Sequence, residues 1–341
     1  MTPDPSILHC SSDPRSVTKS AEMLWLDAIE ANENGSREDA LGMAKEVVQI
    51  DEEHSEAWMA IAEWSLPLPT RGTRAMPSLV QASKAMSAIR RVVEFDPDNS
   101  EGWNLGGRIL TDDLGMLEHA LEWWEERRGV APNDIVPLIE QLSILVRLGY
   151  FEEGESRLQI LEGLNTGPNR AIESRIARIR GMFDRARKLE GDTVFEPQNE
   201  KDERWEFIRN MRKRKPMSET FFLLTFVMPV VFLMGSVAMM MIGSMRFGIF
   251  IVMFIIITLY LIVLNLSKGL LNRLNRYAID LERALDVETT TGKMCIPDEI
   301  RGSKLYNHIL LSKTGGLKER LGLIVEAGEE ISSKWDLDIP F

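Results

Sequence analysis

The sequence predicts an all-α protein made of a helical-repeat solenoid, a two-helix transmembrane hairpin and a small helical C-terminal region. Three observations support this class. The string VVQIDEEHSEAW at 47–58 returns, with few changes, as VVEFDPDNSEGW at 92–103. Two long runs without a charged residue, 220–245 and 247–267, follow in the second half of the chain. Beyond them, apolar residues recur at helical spacing.

Composition narrows the function classes before any motif is considered. The 341 residues carry 40 Lys and Arg against 52 Asp and Glu, a net charge of −12, which argues against a nucleic-acid partner. The excess of acidic over basic residues is concentrated in residues 22–164. This segment has 12 basic and 28 acidic residues, a net charge of −16. Cys10 and Cys295 are the only cysteines, so neither a disulfide scaffold nor a zinc site is expected.

Small residues mark the repeats. Ala40, Ala85, Ala120 and Gly154 are separated by 45, 35 and 34 residues, which indicates a repeat of about 34 residues. The first interval is longer because of the proline-rich insertion LPLPTRGTRAMP at 66–77. A small side chain at these positions lets neighbouring helices approach closely. Residues 1–19, which precede the repeats and have no basic region before their short apolar run, are predicted to form a flexible tail rather than a signal peptide.

The acidic turns predict where helices meet. Pro97 cannot continue a helix, and Asp98, Asn99 or Ser100 can cap the next one. The sequence Pro-Asn-Asp at 132–134 repeats this arrangement.

Residues 20–164 resemble the tetratricopeptide repeat family. The features that carry the resemblance are the Trp58/Ala62 and Trp103/Gly107 pairs, the turns at Gly35 and Gly149, the four small positions, and Pro97 and Pro132. Departures are Glu52 at a turn proline position, Asp27 and Arg108 at apolar or small positions, and the insertion. The resemblance implies three to four helix pairs stacked into a superhelix whose concave face binds peptides or partner domains. Trp58, Trp64 and Asn104 are the candidate partner-binding residues.

A helix is predicted to end the solenoid at 165–190. Ile172, Ile176, Ile179 and Phe183 form one apolar stripe, as a capping helix requires. Seven basic residues on the same helix leave open a second interpretation, contact with an anionic surface. Residues 191–217 lack periodicity at first and then become basic, so we predict a linker followed by a juxtamembrane segment.

Residues 218–245 and 246–268 are predicted to be two transmembrane helices, because each contains more than the roughly 20 apolar residues that cross a bilayer core. Pro229 is expected to kink the first helix, and Gly235 to allow close helix contact. Neither uncharged run contains a residue suited to an ion or proton pathway. Basic residues flank the hairpin at both ends and predict that both termini are cytoplasmic, with Arg246 alone in the connecting turn. They are Arg209, Arg212, Lys213, Arg214, Lys215, Lys268, Arg273 and Arg276. The first five also form a site for anionic lipid headgroups.

The C-terminal region, 269–341, is predicted to be helical and cytoplasmic. The spacing from Leu270 through Leu274 and Tyr277 predicts that the second membrane helix continues to Leu285. A heptad seam follows, typical of a short coiled coil that packs on the preceding helix or on a second copy of the chain. Its members are Leu317, Leu321, Ile324, Gly328, Ile331 and Trp335.

Catalytic chemistry is not indicated. None of the four histidines has a cysteine or a second histidine at the spacing of a metal site, so we expect neither an enzyme, nor a metal site, nor a cofactor. The sequence favours a membrane-anchored scaffold that recruits a protein or peptide partner, and the acidic repeats suggest that the partner is basic. The alternative is a structural subunit of an oligomeric membrane complex.

Overall fold

The computed structural model describes residues 19–68, 76–164, 170–191, 193–242 and 248–341, with the backbone alone at 265–268. The predicted all-α class is confirmed: the described chain is 75% helical, with no strand. Most of the predicted N-terminal tail, residues 1–18, lies outside it. The helices are α1 (Ala21–Glu33), α2 (Arg37–Ile50), α3 (Ser55–Ser65), α4 (Leu79–Phe95), α5 (Ser100–Arg108), α6 (Leu117–Val130), α7 (Ile135–Leu148), α8 (Phe151–Gly163), α9 (Arg170–Glu190), α10 (Glu203–Met211), α11 (Glu219–Ile242), α12 (Gly248–Leu274), α13 (Arg276–Thr291), α14 (Lys304–Leu311) and α15 (Gly315–Ala327).

Helices α1 to α8 form consecutive pairs, and each helix packs against the next one along the chain. We call these eight helices the array. The positions predicted to be small are buried at helix contacts: Ala40, Ala85 and Ala120 have no exposed surface. A Cβ atom on Gly154 would lie 2.9 Å from the ring of Phe183. The small residues therefore set the spacing between helices, as the sequence predicted.

The duplicated strings perform the same local task. The indole N–H of Trp58 donates to the carbonyl of Glu52 at 2.8 Å, and that of Trp103 donates to the carbonyl of Pro97 at 2.8 Å. The residue four positions before each tryptophan caps the helix by accepting a backbone N–H. Each of these two joints between helix pairs is thus closed by one cap and one indole.

Two glycines of α5 allow the closest packing in the array. A Cβ on Gly106 would lie 2.4 Å from Trp123, and one on Gly107 would lie 2.1 Å from Trp124. Any side chain there would displace an indole. After Arg108 the chain continues as a π-helical stretch, Ile109–Leu114, which ends at Gly115.

The predicted capping helix is present as α9. Phe183 is buried, and Ile172, Ile176 and Ile179 are half-buried against α7 and α8.

The predicted linker is non-helical at 193–202, but the juxtamembrane segment predicted to follow it contains a helix, α10, that was not predicted. Trp205 and Ile208, three residues apart on one face, are fully buried. They join Phe195, Tyr277 and Leu281 in a second hydrophobic cluster. One turn of apolar residues is too short a pattern to predict a helix, but this cluster supplies the missing stabilisation.

Helices α11 and α12 are long and apolar enough to cross a membrane, and their turn at 243–247 lies outside the described residues. Only 22% and 6% of their most apolar windows are buried within the chain, unlike the core helices of a soluble protein. A π-helical stretch, Leu223–Val227, precedes Pro229, as expected near a residue that lacks an N–H donor. Gly235 packs on Ile256, where a Cβ would stand 2.9 Å away.

The predicted continuous helix through Leu285 was wrong, because α12 ends at Leu274 and α13 begins at Arg276. The side chain of Asn275 turns back instead and makes two 2.9 Å hydrogen bonds to the backbone of Met217. This amide clamp joins the ends of α11 and α12. Helix α13 is buried on most sides, between α10, α14 and α15 and against α6 and α7 of the array. The C-terminal region is therefore joined to the array rather than separate from it.

The predicted heptad helix was also wrong beyond residue 327. Gly328 ends α15 in the left-handed conformation, at φ +66°. Leu317, Leu321 and Ile324 are buried within the chain rather than available to a second copy. Ile331 and Trp335 lie on a non-helical C-terminal tail, residues 329–341, which packs on the array.

Arginines stabilise the carboxyl ends of helical segments along one edge of the array. Arg37 donates to the carbonyl of Trp64 at 3.1 Å, at the end of α3. Arg320 donates to the carbonyl of Leu114 at 2.7 Å, and Arg283 donates to that of Arg147 at 3.0 Å. A cation is favoured there, because the last carbonyls of a helix lack partners and carry its negative dipole end. Two of these three arginines come from the C-terminal region, so this edge is its docking surface.

Candidate partner-binding cleft

An open cleft of about 620 Å³ lies on the array between α3 and α5. Apolar side chains and a polar rim line it together, an arrangement typical of sites that bind a partner's side chains. The lining residues are Arg37, Met59, Glu63, Leu66, Pro67, Leu68, Pro77, Glu101, Asn104, Leu105, Arg108 and Asp113.

The guanidinium of Arg37 already donates hydrogen bonds to backbone carbonyls within the chain. Its guanidinium also donates to the carbonyl of Leu66 at 2.9 Å and to that of Glu63. Because these carbonyls belong to the carboxyl end of α3, Arg37 shapes the wall of the cleft rather than offering a free cation.

Two carboxylates, Glu63 and Glu101, line the cleft together with Arg37 and Arg108. Burial raises the pKa of Glu63, and the negative charge of Glu101 raises it further, while Arg37 and Arg108 lower it. Neither Glu63 nor Glu101 forms an ion pair with another described residue. A positive group placed between them would relieve their repulsion, so the cleft is suited to a lysine or arginine from a partner.

The structure brings only one of the three predicted partner-binding residues to the cleft. Asn104 lines it with an exposed side chain. Trp58 is half-buried, and its indole N–H is used at the repeat joint. Trp64 is half-buried and stacks on Trp25, with ring centroids 6.1 Å apart and an interplanar angle of 22°. The two tryptophans have structural contacts instead.

Sequence reasoning missed Glu63 and Glu101, which are separated by 38 positions and the insertion. Arg108 had been noticed only as a departure from the family pattern. An acidic residue on the first helix of each of two successive pairs is the signal that could have found the carboxylates.

A neighbouring surface of the array is occupied by the C-terminal tail. The hydroxyl of Tyr150 donates to Asp336 at 2.6 Å and accepts the backbone N–H of Leu337 at 2.9 Å. The guanidinium of Arg157 lies 3.2 Å from the ring centroid of Phe341. These tail contacts lie at α8, whereas the cleft lies between α3 and α5.

The predicted lipid-contact residues divide into two groups. Arg209 is paired with Glu299 at 2.6 Å, and Arg212 donates to the carbonyl of Arg209 at 3.0 Å. Lys213, Arg214 and Lys215 are exposed and form no ion pair with a described residue. Only these last three remain free for lipid headgroups.

A buried ionic junction connects α9 with α10 and α13. Both carboxylate oxygens of Glu190 accept hydrogen bonds from Arg283, at 2.8 and 3.1 Å, and Arg204 donates as well. Burial alone would raise the pKa of Glu190, but the two arginines hold it down to about 2. Asp280 lies beside them, and burial raises its pKa to about 6 although Arg204 opposes this. The junction therefore holds Glu190 as an anion at neutral pH.

Within the described ranges, no group of three or more His, Cys, Asp or Glu side chains has the arrangement of a metal site. No protein-family model matches the chain, and no curated protein is similar to it.

Proposed function

We propose that this chain is a membrane-anchored scaffold whose tetratricopeptide-like array recruits a protein or peptide partner with a basic segment. The observation that carries the proposal is the cleft lined by both Glu63 and Glu101, where the charge of Glu101 raises the pKa of Glu63. The array has a net negative charge. This charge favours the approach of a cationic segment and disfavours binding of nucleic acid. The proposal invokes no catalysis and no cofactor.

The hairpin is the proposed anchor. Helices α11 and α12 would span the bilayer, with the array and both termini on the cytoplasmic side. Support comes from their exposed apolar surfaces and from the free basic residues 213–215 next to the first span. The amide clamp between Asn275 and Met217 holds the two helices together at that side.

Capture from lysate of the source cell tests the proposal. Full-length protein in lipid nanodiscs serves as bait at low and at high salt, and bound proteins are identified by mass spectrometry. We expect a partner that is lost at high salt, because exposed charge pairs are screened. The double variant E63Q/E101Q should lose this partner. The matched control E46Q/E53Q removes two exposed charges outside the cleft and should retain it. Equal capture by both variants would contradict the assignment of the cleft.

Topology is tested separately with a membrane-impermeant thiol reagent on intact cells. Cys295 is unsuitable because its side chain is largely buried and its thiol donates to the carbonyl of Ala284 at 3.3 Å. We expect an exposed thiol from Ser83→Cys to react only after lysis, whereas reaction before lysis would place the array outside.

A second candidate is a structural subunit of an oligomeric membrane complex. One observation favours it: an apolar groove of about 700 Å³ between α11 and α12, partly lined by the exposed side chains of Phe232 and Met240. If two copies associate there, detergent-solubilised protein should have a fixed stoichiometry above one by light scattering. Replacing Phe232 and Met240 by alanine should reduce it to a monomer.

A further inference from the structure

One face of α9 carries basic residues without an acidic residue. Positions 170, 174, 178, 181, 185 and 188 follow each other at intervals of 4, 4, 3, 4 and 3, so they lie on the same side of the helix. The basic members are Arg170, Arg178, Arg185 and Lys188, and all four are exposed. We call these four residues and Ser174 the acid-free face.

The rest of α9 differs in both packing and charge. The isoleucine stripe with Phe183 faces α7 and α8, and accounts for the capping role. The remaining flank holds Arg180, which pairs with Glu162 at 2.7 Å and with Asp184 at 4.0 Å. In contrast, no basic residue of the acid-free face forms an ion pair with a described residue. The charges there are therefore available to an outside partner.

The position of α9 indicates which partner. Helix α9 contacts α12, and Arg276 at the start of α13 donates to the carbonyl of Glu190 at the end of α9. The carboxyl end of α9 is thus held where the second apolar helix leaves the proposed membrane. The 27 residues of α12 extend about 40 Å, whereas a bilayer core measures about 30 Å. The last turns of α12 consequently reach headgroup level, beside α9.

Further basic side chains without an ion pair to a described residue lie beside the ends of the two apolar helices. Lys213, Arg214 and Lys215 precede α11, and Arg273 is exposed near the end of α12. The amide clamp holds these two segments together. A protein or RNA partner would need access to a surface that the bilayer already adjoins, whereas anionic lipid is present there from the moment of insertion.

We propose that the acid-free face of α9 rests on anionic lipid headgroups beside the hairpin and so orients the array along the membrane surface. The inference rests on the membrane anchor of the proposed function. The capping role and lipid contact then belong to opposite faces of one helix.

The test measures the distance from α9 to the headgroups in the complete protein. Ser174→Cys, in a Cys10→Ser background, places a single fluorophore on the acid-free face, and Ser83→Cys on α4 is the matched control. Each protein is reconstituted into nanodiscs of phosphatidylcholine alone or with one third phosphatidylserine, and a headgroup-attached nitroxide lipid quenches the fluorophore. Incorporation is verified by size-exclusion chromatography before quenching is measured.

We expect the label at 174 to be quenched about twofold more in the anionic nanodiscs, and the label at 83 to be insensitive to lipid charge. Adding R178Q/R185Q should return quenching at 174 to its level in neutral lipid, whereas the control pair K84Q/R90Q on α4 should not.

Equal quenching at 174 in both lipids, or quenching unaffected by R178Q/R185Q, would overturn the inference while leaving the anchor intact. An unquenched label together with a co-purifying acidic protein or RNA would assign the face to that partner instead. Failure of the protein to incorporate would refute the anchor and the inference together.

Discussion

Replacing Glu190 by glutamine is the most direct test of how α9 is joined to α10 and α13. The substitution keeps the volume of the side chain but removes the charge that two arginines share. The buried Arg283 would lose the carboxylate to which it donates, and the amide would present donors to a group that only donates. We expect a large loss of stability for a change of so few atoms.

The magnitude follows from the pKa of Glu190. Its fall from an ordinary 4.5 to about 2 corresponds to about 3 kcal/mol of stabilisation of the anion in the folded protein. Removal of one partner from a buried ion pair costs about 3–5 kcal/mol in general, which agrees. For a chain of 341 residues, a loss of about 3 kcal/mol lowers Tm by about 4 °C.

The assay is thermal unfolding of the full-length protein in nanodiscs, followed by tryptophan fluorescence, since the fully buried Trp205 lies in the adjoining cluster. The pH dependence gives a second readout. Because the folded pKa is depressed, the stabilisation is complete above about pH 4.5 and is lost as pH falls toward 2. Below pH 5, where Asp280 is protonated in the wild type, the difference between wild type and E190Q should fall from about 3 kcal/mol to about 1.4 kcal/mol at pH 3.

The control is Glu196→Gln, an exposed carboxylate six residues away, for which we expect a change below about 0.5 kcal/mol. A loss for E190Q no larger than this control at pH 7 would refute the reasoning. A difference that does not shrink between pH 5 and 3 would show that the loss comes from packing rather than from charge.

Three further predictions concern other parts of the fold, each measured by the same unfolding assay. Gly107→Ala should destabilise by about 2–3 kcal/mol because its Cβ would stand 2.1 Å from an indole, whereas Gly129→Ala, with open space around it, should be neutral or stabilising. Asn275→Ala should cost about 1–3 kcal/mol and speed proteolysis between α10 and α11, since the backbone polar groups of Met217 lose both partners; unchanged digestion would refute the clamp. Asp280→Asn should stabilise the folded protein by about 1–3 kcal/mol at pH 7.5, because burial penalises the ionised carboxylate above its pKa of about 6. This gain in stability should vanish as pH falls through 6 toward 4, and a gain that does not depend on pH would contradict the prediction.

The repeats and the apolar helices could be predicted from sequence because each leaves a local and redundant signal. The joint at Pro97 combines a helix stop, a cap and a tryptophan within a few residues, and the cap and the tryptophan recur 45 positions earlier, where Glu52 replaces the proline. The uncharged runs are equally local. In both cases the residues that make the structure are neighbours in the chain.

The errors have the opposite origin. Helix α10 depends on Trp205 reaching a cluster built from α13 and α14, more than 70 residues away. The apolar spacing that predicted a longer final helix continues through Ile331 and Trp335. Gly328 nevertheless ends the helix before them, and in the C-terminal tail these two side chains pack on the array instead. Spacing alone cannot distinguish these outcomes, because the competing partner is remote in sequence.

The candidate cleft was only partly predictable for the same reason. Asn104 was identified from its place on the first helix of a pair. Glu63 and Glu101 are 38 positions apart in sequence and line one cleft only because two helix pairs stack, so no local pattern connects them.

The arginines along the docking edge have a consequence for the order of synthesis. Arg37, which stabilises the end of α3, leaves the ribosome before that helix, but Arg283 and Arg320 follow more than a hundred residues after the segments whose ends they complete. Both apolar helices are made in between. A nascent chain therefore carries an array with unfinished helix ends until its hairpin has been synthesised, so maturation of the array is tied to the fate of the hairpin.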